Sequence, residues 1–65
     1  MAWQILNIAT LQSEYFEKLS DLVRKYELIE STVRNKWSSA KTEYPNESDR
    51  FIMIDKYRIT KIKIN

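Results

Sequence analysis

Between Ser31 and Thr42 the chain carries three cations, Arg34, Lys36 and Lys41, and no acid. Ser31, Thr32, Asn35, Ser38, Ser39 and Thr42 stand among them. On a helical wheel oriented by Val33 and Trp37, the outward arc holds Ser31, Thr32, Arg34, Asn35, Ser38, Ser39 and Thr42. Such an arc has the chemistry to meet a polyanion. Arginine can pair with a guanine edge and asparagine with an adenine edge, while short hydroxyls let backbone phosphates approach closely. An ordinary solvated helix face mixes Glu with Lys, as residues 14–27 do. The acid-free arc favours groove contact over that simpler use. A second basic group comprises Lys56, Tyr57 and Arg58, with Lys61 and Lys63 further along the same segment. The candidate DNA contacts are therefore Ser31, Thr32, Arg34, Asn35, Lys36, Ser38, Ser39, Lys41, Lys56, Tyr57, Arg58 and Lys61.

Other chemistries find few tools. Cys, His and Gly are all absent. That removes disulfides, thiolate and imidazole metal ligands, Cys/His nucleophiles and glycine-rich phosphate loops. Glu14, Glu17 and Asp21 share a side of a helical projection, but they lack a pocket and a histidine partner. We expect no catalytic residue, no metal and no cofactor. The chain does not read as an enzyme.

Sixty-five residues make one domain, 1–65, able to bury only about 60% of its unfolded surface. The 43% apolar and 12% aromatic fractions suit a folded globular chain. The longest apolar cluster, Phe51-Ile52-Met53-Ile54, is far short of the roughly 20 residues that cross a bilayer. Residues 1–8 lack a basic flank and a small-residue cleavage pattern, so no signal peptide is expected and cytoplasm is the default. Charge is unevenly placed. Residues 1–30 carry five acids and three bases, whereas residues 31–65 carry eight bases and four acids. This asymmetry points to a negatively charged partner on one side of the fold.

The elements that must position these groups follow from periodicity. Residues 2–9 read as a short strand with Trp3, Ile5 and Asn7 on one face. Leu11, Tyr15, Leu19, Leu22, Val23 and Tyr26 form one helical stripe, predicting a helix over 11–26 capped by Thr10 or Ser13. Ile29, Val33, Trp37, Ala40 and Tyr44 predict a second helix, capped by Glu30 or Ser31 and ended near residue 43 by Pro45. Residues 45–49 read as a loop of turn formers. Phe51–Ile54 and Arg58–Ile64 read as a hairpin turning at Asp55-Lys56 or Lys56-Tyr57, with Lys61 and Lys63 opposite Ile62 and Ile64. Phe16, Tyr15, Tyr26 and Trp37 are expected in the core, with Trp37 largely buried against Leu22, Val23 and the hairpin. Trp3 packs under the hairpin or in a dimer contact.

The stretch from Leu19 to Trp37 resembles a bacterial helix-turn-helix. Leu22 and Val23 match the first helix, Leu28 the apolar turn position, and Ser31-Thr32-Val33-Arg34 the opening of the recognition helix, with Trp37 four residues after Val33. Glu27 stands where the turn usually carries glycine. With the hairpin as a wing, the order resembles small phage and mobile-element winged-helix proteins, notably excisionases and compact phage repressors. The resemblance implies an α+β fold: a short N-terminal strand, two helices forming a helix-turn-helix, and a C-terminal β-hairpin wing. It also implies transcription regulation or control of DNA recombination through double-stranded DNA. So small a reader needs a homo-oligomer, a cooperative assembly or a protein partner such as a recombinase. The alternative is a small phage module that inhibits or modulates a host protein, its basic hairpin adding to a partner's sheet edge.

Overall fold

The computed structural model describes residues 2–62. Strand β1 (Ala2–Asn7) sends Trp3, Ile5 and Asn7 to one face, as the alternation predicts, and Ile5 is fully buried. Asn7 then organises a turn. Its Oδ1 accepts hydrogen bonds from the Ala9 and Thr10 N–H groups at 2.9 and 3.2 Å, the usual way Asn stabilises a chain reversal. Leu11, at φ 63°, donates its N–H to the Asn7 carbonyl at 2.7 Å.

The chain returns as strand β2 (Gln12–Phe16), antiparallel to β1 with Trp3 opposite Phe16 and Asn7 opposite Gln12. The helix expected over 11–26 is thus corrected to a strand followed by a short helix, α1 (Leu19–Lys25). The four-residue spacing of Leu11, Tyr15 and Leu19 was coincidental, since Leu11 is 76% and Tyr15 56% exposed. Pairing with β1 satisfies the backbone of 12–16, and Thr10 and Ser13 cap no helix; α1 starts after Lys18 without a side-chain cap.

Helix α1 buries Leu19, Leu22 and Val23. It ends in a Schellman arrangement: Leu28 N–H reaches the Val23 carbonyl at 2.8 Å and Glu27 N–H reaches Arg24 at 3.4 Å. Glu27 takes φ 55°, the left-handed geometry a glycine would adopt more cheaply. Leu28 packs on the core while Ile29 is 67% exposed, so Ile29 does not join the buried stripe. Helix α2 (Glu30–Glu43) follows and stops ahead of Pro45, as the periodicity predicts. Val33 is its fully buried residue. Trp37, expected to be largely buried, is half-buried at the margin of the core.

Strands β3 (Phe51–Ile54) and β4 (Tyr57–Ile62) turn at Asp55-Lys56, with Asp55 at φ 53°. The antiparallel sheet has the order β2-β1-β4-β3. Ile5, Ile59 and Ile52 lie side by side across three strands and meet Leu19, Leu22, Val23 and Val33 in one core. Both helices cover that face, giving a two-layer α+β fold with four strands rather than one strand and a wing. Since β4 pairs with β1 from Asn7–Tyr57 to Ala2–Ile62, the C-terminal hairpin is half of the sheet and not a projecting ribbon. Lys63 and Ile64 lie outside the described residues. Among the described residues, no helix is long and apolar enough to cross a membrane.

Candidate nucleic-acid interface

Helix α2 touches the rest of the protein along a narrow seam of Val33, Trp37 and Ala40. Apart from half-buried Glu30, the residues around that seam face solvent. Ser31, Thr32, Arg34, Asn35, Lys36, Ser38, Ser39 and Lys41 are all exposed. Arg34 Nε lies 3.0 Å from Glu30 Oε2, one turn back. An exposed pair of this spacing contributes only about 0.3–0.5 kcal/mol, so another anion can displace it. Lys36 and Lys41 have no ion pair among the described residues. The C-terminal end of α1 lies near the Asp55-Lys56 turn, because Tyr26 packs edge-on against Tyr57 at 5.1 Å.

The hairpin cations do not stay together. Lys56 is exposed at the tip, its Nζ 5.8 Å from the Tyr57 ring, and its carbonyl accepts a 2.9 Å hydrogen bond from Ile8 in the other hairpin. Tyr57 lies on the helix-covered face. Arg58 lies on the opposite face, over the Phe51 ring at 4.7 Å. Lys61 corrects the expected wing most sharply. Its Nζ sits 5.1 Å from the Trp3 ring centre and 2.9 Å from Glu47 Oε1. The pairing of Ile59 with Ile5 places the odd-numbered β4 residues beneath the helices and leaves Thr60 and Ile62 on the far side.

Arg50 is the residue whose role the pattern did not reveal. It is buried, with only 7% exposure. Its Nε donates to the Tyr44 carbonyl and its Nη2 to the Pro45 carbonyl, each at 2.9 Å. The guanidinium lies 5.2 Å from the Trp37 ring, and Trp37 meets Trp3 edge-on at 5.0 Å. A planar donor fork thus closes the C-terminal end of α2, where carbonyls lack helical partners and the dipole favours a cation. Two of the basic residues behind the charge asymmetry, Arg50 and Lys61, are therefore used inside the fold.

The three carboxylates of the helical projection are also dispersed. Glu14 lies on β2, Glu17 follows that strand, and Asp21 lies on α1. Among the described residues, no cluster of His, Cys, Asp or Glu could hold a metal ion. Glu14 instead ties β2 to α1, accepting from Lys25 Nζ and from Tyr26 Oη at 2.9 Å. Those hydrogen bonds, Lys25 first and Tyr26 second, hold its carboxyl below the ordinary 4.5. Its stabilisation is complete above 4.5 and disappears as pH falls through the lower folded value. Burial, followed by the bond to Glu14, raises the Tyr26 phenol above 10.0. That contribution is complete below 10.0 and is lost as pH rises through the higher folded value. Glu14→Gln should lower the melting temperature at neutral pH, and the gap to wild type should narrow as pH falls below 4.5. Thermal melts across that range check it, and a pH-independent gap would contradict the ionic role.

No family model, curated protein or solved structure matches the chain.

Proposed function

We propose that the chain binds double-stranded DNA through the outer surface of α2, with α1 and the Glu27 turn completing a helix-turn-helix. One observation carries the reading: a 14-residue helix, held by a narrow seam, exposes three cations and no acid from Ser31 to Thr42. Such a helix is about 21 Å long and slim enough for the major groove. Ser31 and Thr32, near its N-terminus, meet phosphate; Arg34 and Asn35 read base edges; Lys36 and Lys41 flank the groove. Ser38 and Ser39 allow close approach between them. Lys56 is the wing contact, because Lys61 is paired and Arg58 faces away. A regulator or recombination accessory factor built this way needs a second subunit or protein partner to lengthen its site.

Binding to labelled duplex, titrated at several salt concentrations, tests this. Joint substitution Lys36→Ala and Lys41→Ala should make the log–log salt slope shallower by roughly 0.9 for each lost contact. Asn35→Ala should cost about 1–3 kcal/mol on a cognate site and little on random duplex. Arg58→Ala, on the far sheet face, should leave the slope unchanged. Equal losses from Arg58→Ala and the lysine pair would reduce the interaction to diffuse charge. Wild-type binding without salt dependence would end the proposal.

A further inference from the structure

The sheet has two edges, and they differ. Strand β2 presents Gln12, Ser13 and Glu14, polar residues of the kind that discourage strand addition. Strand β3 is wholly apolar, Phe51-Ile52-Met53-Ile54, with neither Pro nor a charge to protect it. In a hairpin closed by a two-residue turn, the pair flanking the turn exchanges both hydrogen bonds. Ile54 and Ile52 therefore direct their N–H and C=O groups to β4, while Phe51 and Met53 turn theirs outward.

Beside this edge runs a groove of about 430 Å³, lined by Asn35, Lys36 and Ser39 of α2 and by Ile52 and Met53 of β3. Its floor is apolar, its wall offers an amide and a hydroxyl, and among the described residues its only charge is Lys36. Across the edge strand, Arg58 covers Phe51. Cations thus stand on both sides of β3, and among the described residues no acid lines the groove.

We propose that β3 receives an extended segment of a partner protein in which acidic and apolar residues alternate. Main-chain hydrogen bonds form to Phe51 and Met53. The acidic side chains of the segment point toward Lys36, and the apolar ones on its other face lie beside Phe51 and the aliphatic stem of Arg58. Charge decides against a second copy, because isologous pairing of β3 would set each Lys36 toward its twin.

The probe is a peptide of about eight residues alternating glutamate with valine, long enough to cover a typical strand. Compared with it are a lysine–valine peptide and a glutamate–valine peptide N-methylated at alternate backbone positions. Amide hydrogen exchange is read at each β3 residue. Saturation with the acidic peptide should slow Phe51 and Met53 exchange by about tenfold or more, with a smaller change at Ile52 and Ile54. N-methylation should abolish that protection, and Lys36→Glu should weaken the acidic peptide and favour the basic one, each by about tenfold. Met53→Pro, which removes an outward N–H without touching the ladder, should melt near wild type yet give no protection at Phe51. Unchanged Phe51 and Met53 exchange at saturation would overturn the proposal. So would equal binding of the two peptide charges, or protection that rises with protein concentration alone, the mark of self-pairing. The readout is independent of DNA, since contacts to α2 protect no β3 amide.

Discussion

Ile59→Ala should unfold most of the population at physiological temperature. Ile59 is completely buried between Ile5 and Ile52 in the middle of the sheet and packs with Leu22 and Val33 in the same core. Truncation removes three carbons and leaves a cavity that neighbouring strands cannot close without breaking register. The expected loss is about 2–5 kcal/mol. At roughly 0.05–0.15 kcal/mol per residue, a domain of this size has little more than that to lose. Ile59→Val should cost only about 0.5–1.5 kcal/mol, a shift of several degrees in the melting temperature. Met53→Ala, on the same hairpin but 39% exposed, serves as the comparison and should melt near wild type. Circular-dichroism melts of the three variants check the order. A near-native melt for Ile59→Ala would mean that the helices do not close on this row of isoleucines.

Arg50→Ala should lose about 3 kcal/mol, although the substitution lies outside the apolar core. Two charge-assisted hydrogen bonds disappear, each contributing roughly 1.5–3 kcal/mol before compensation by water. The Tyr44 and Pro45 carbonyls lose their donors at the end of α2, and Trp37 loses the cation over its ring. Arg50→Lys should recover less than half of the loss, because an ammonium cannot reproduce the planar fork that reaches both carbonyls and stacks on indole. Tryptophan emission should shift to longer wavelength in Arg50→Ala as water reaches the Trp3–Trp37 pair. If Arg50→Lys is as stable as wild type, charge near the helix end suffices and the fork geometry is irrelevant.

Legibility followed the range of the interactions. The inward stripe and the end of α2 could be read because their causes are local: the Val33, Trp37 and Ala40 spacing sets the stripe and Pro45 ends the helix. Its start differs, since the cap is Ile29, with no side-chain cap, and not the expected Glu30 or Ser31. The β3–β4 turn could be placed for the same reason. Residues 12–16 are ambiguous in the sequence because two weak local patterns coexist there. Leu11, Tyr15 and Leu19 carry a helical spacing, while Glu14 and Phe16 alternate with Ser13 and Tyr15. Only the neighbouring β1, with its unpaired backbone, selects the second pattern. Glu27, Leu11 and Asp55 all hold positive φ without glycine. Non-glycine residues there cost about 1–2 kcal/mol each, and that cost is accepted because the surrounding connections demand it.

The candidate site divides along the same line. The acid-free run from Ser31 to Thr42 and its exposure on α2 were determined by the sequence alone, since a helix wheel follows from one buried direction. The fate of the C-terminal cations was not. Whether Lys61 or Ile62 turns toward the helices depends on which residue β1 places opposite Ile59, and a slip of one residue exchanges the two faces. Arg50 gives no local sign of burial; its role arises when the end of α2 returns to the start of β3. The open β3 edge likewise exists only because β4 took the centre of the sheet, between β1 and β3. That choice joins Ala2 to Ile62 across nearly the whole chain. Helix faces follow from neighbours three and four residues away, whereas strand faces and sheet edges are decided by partners that meet only in the folded state.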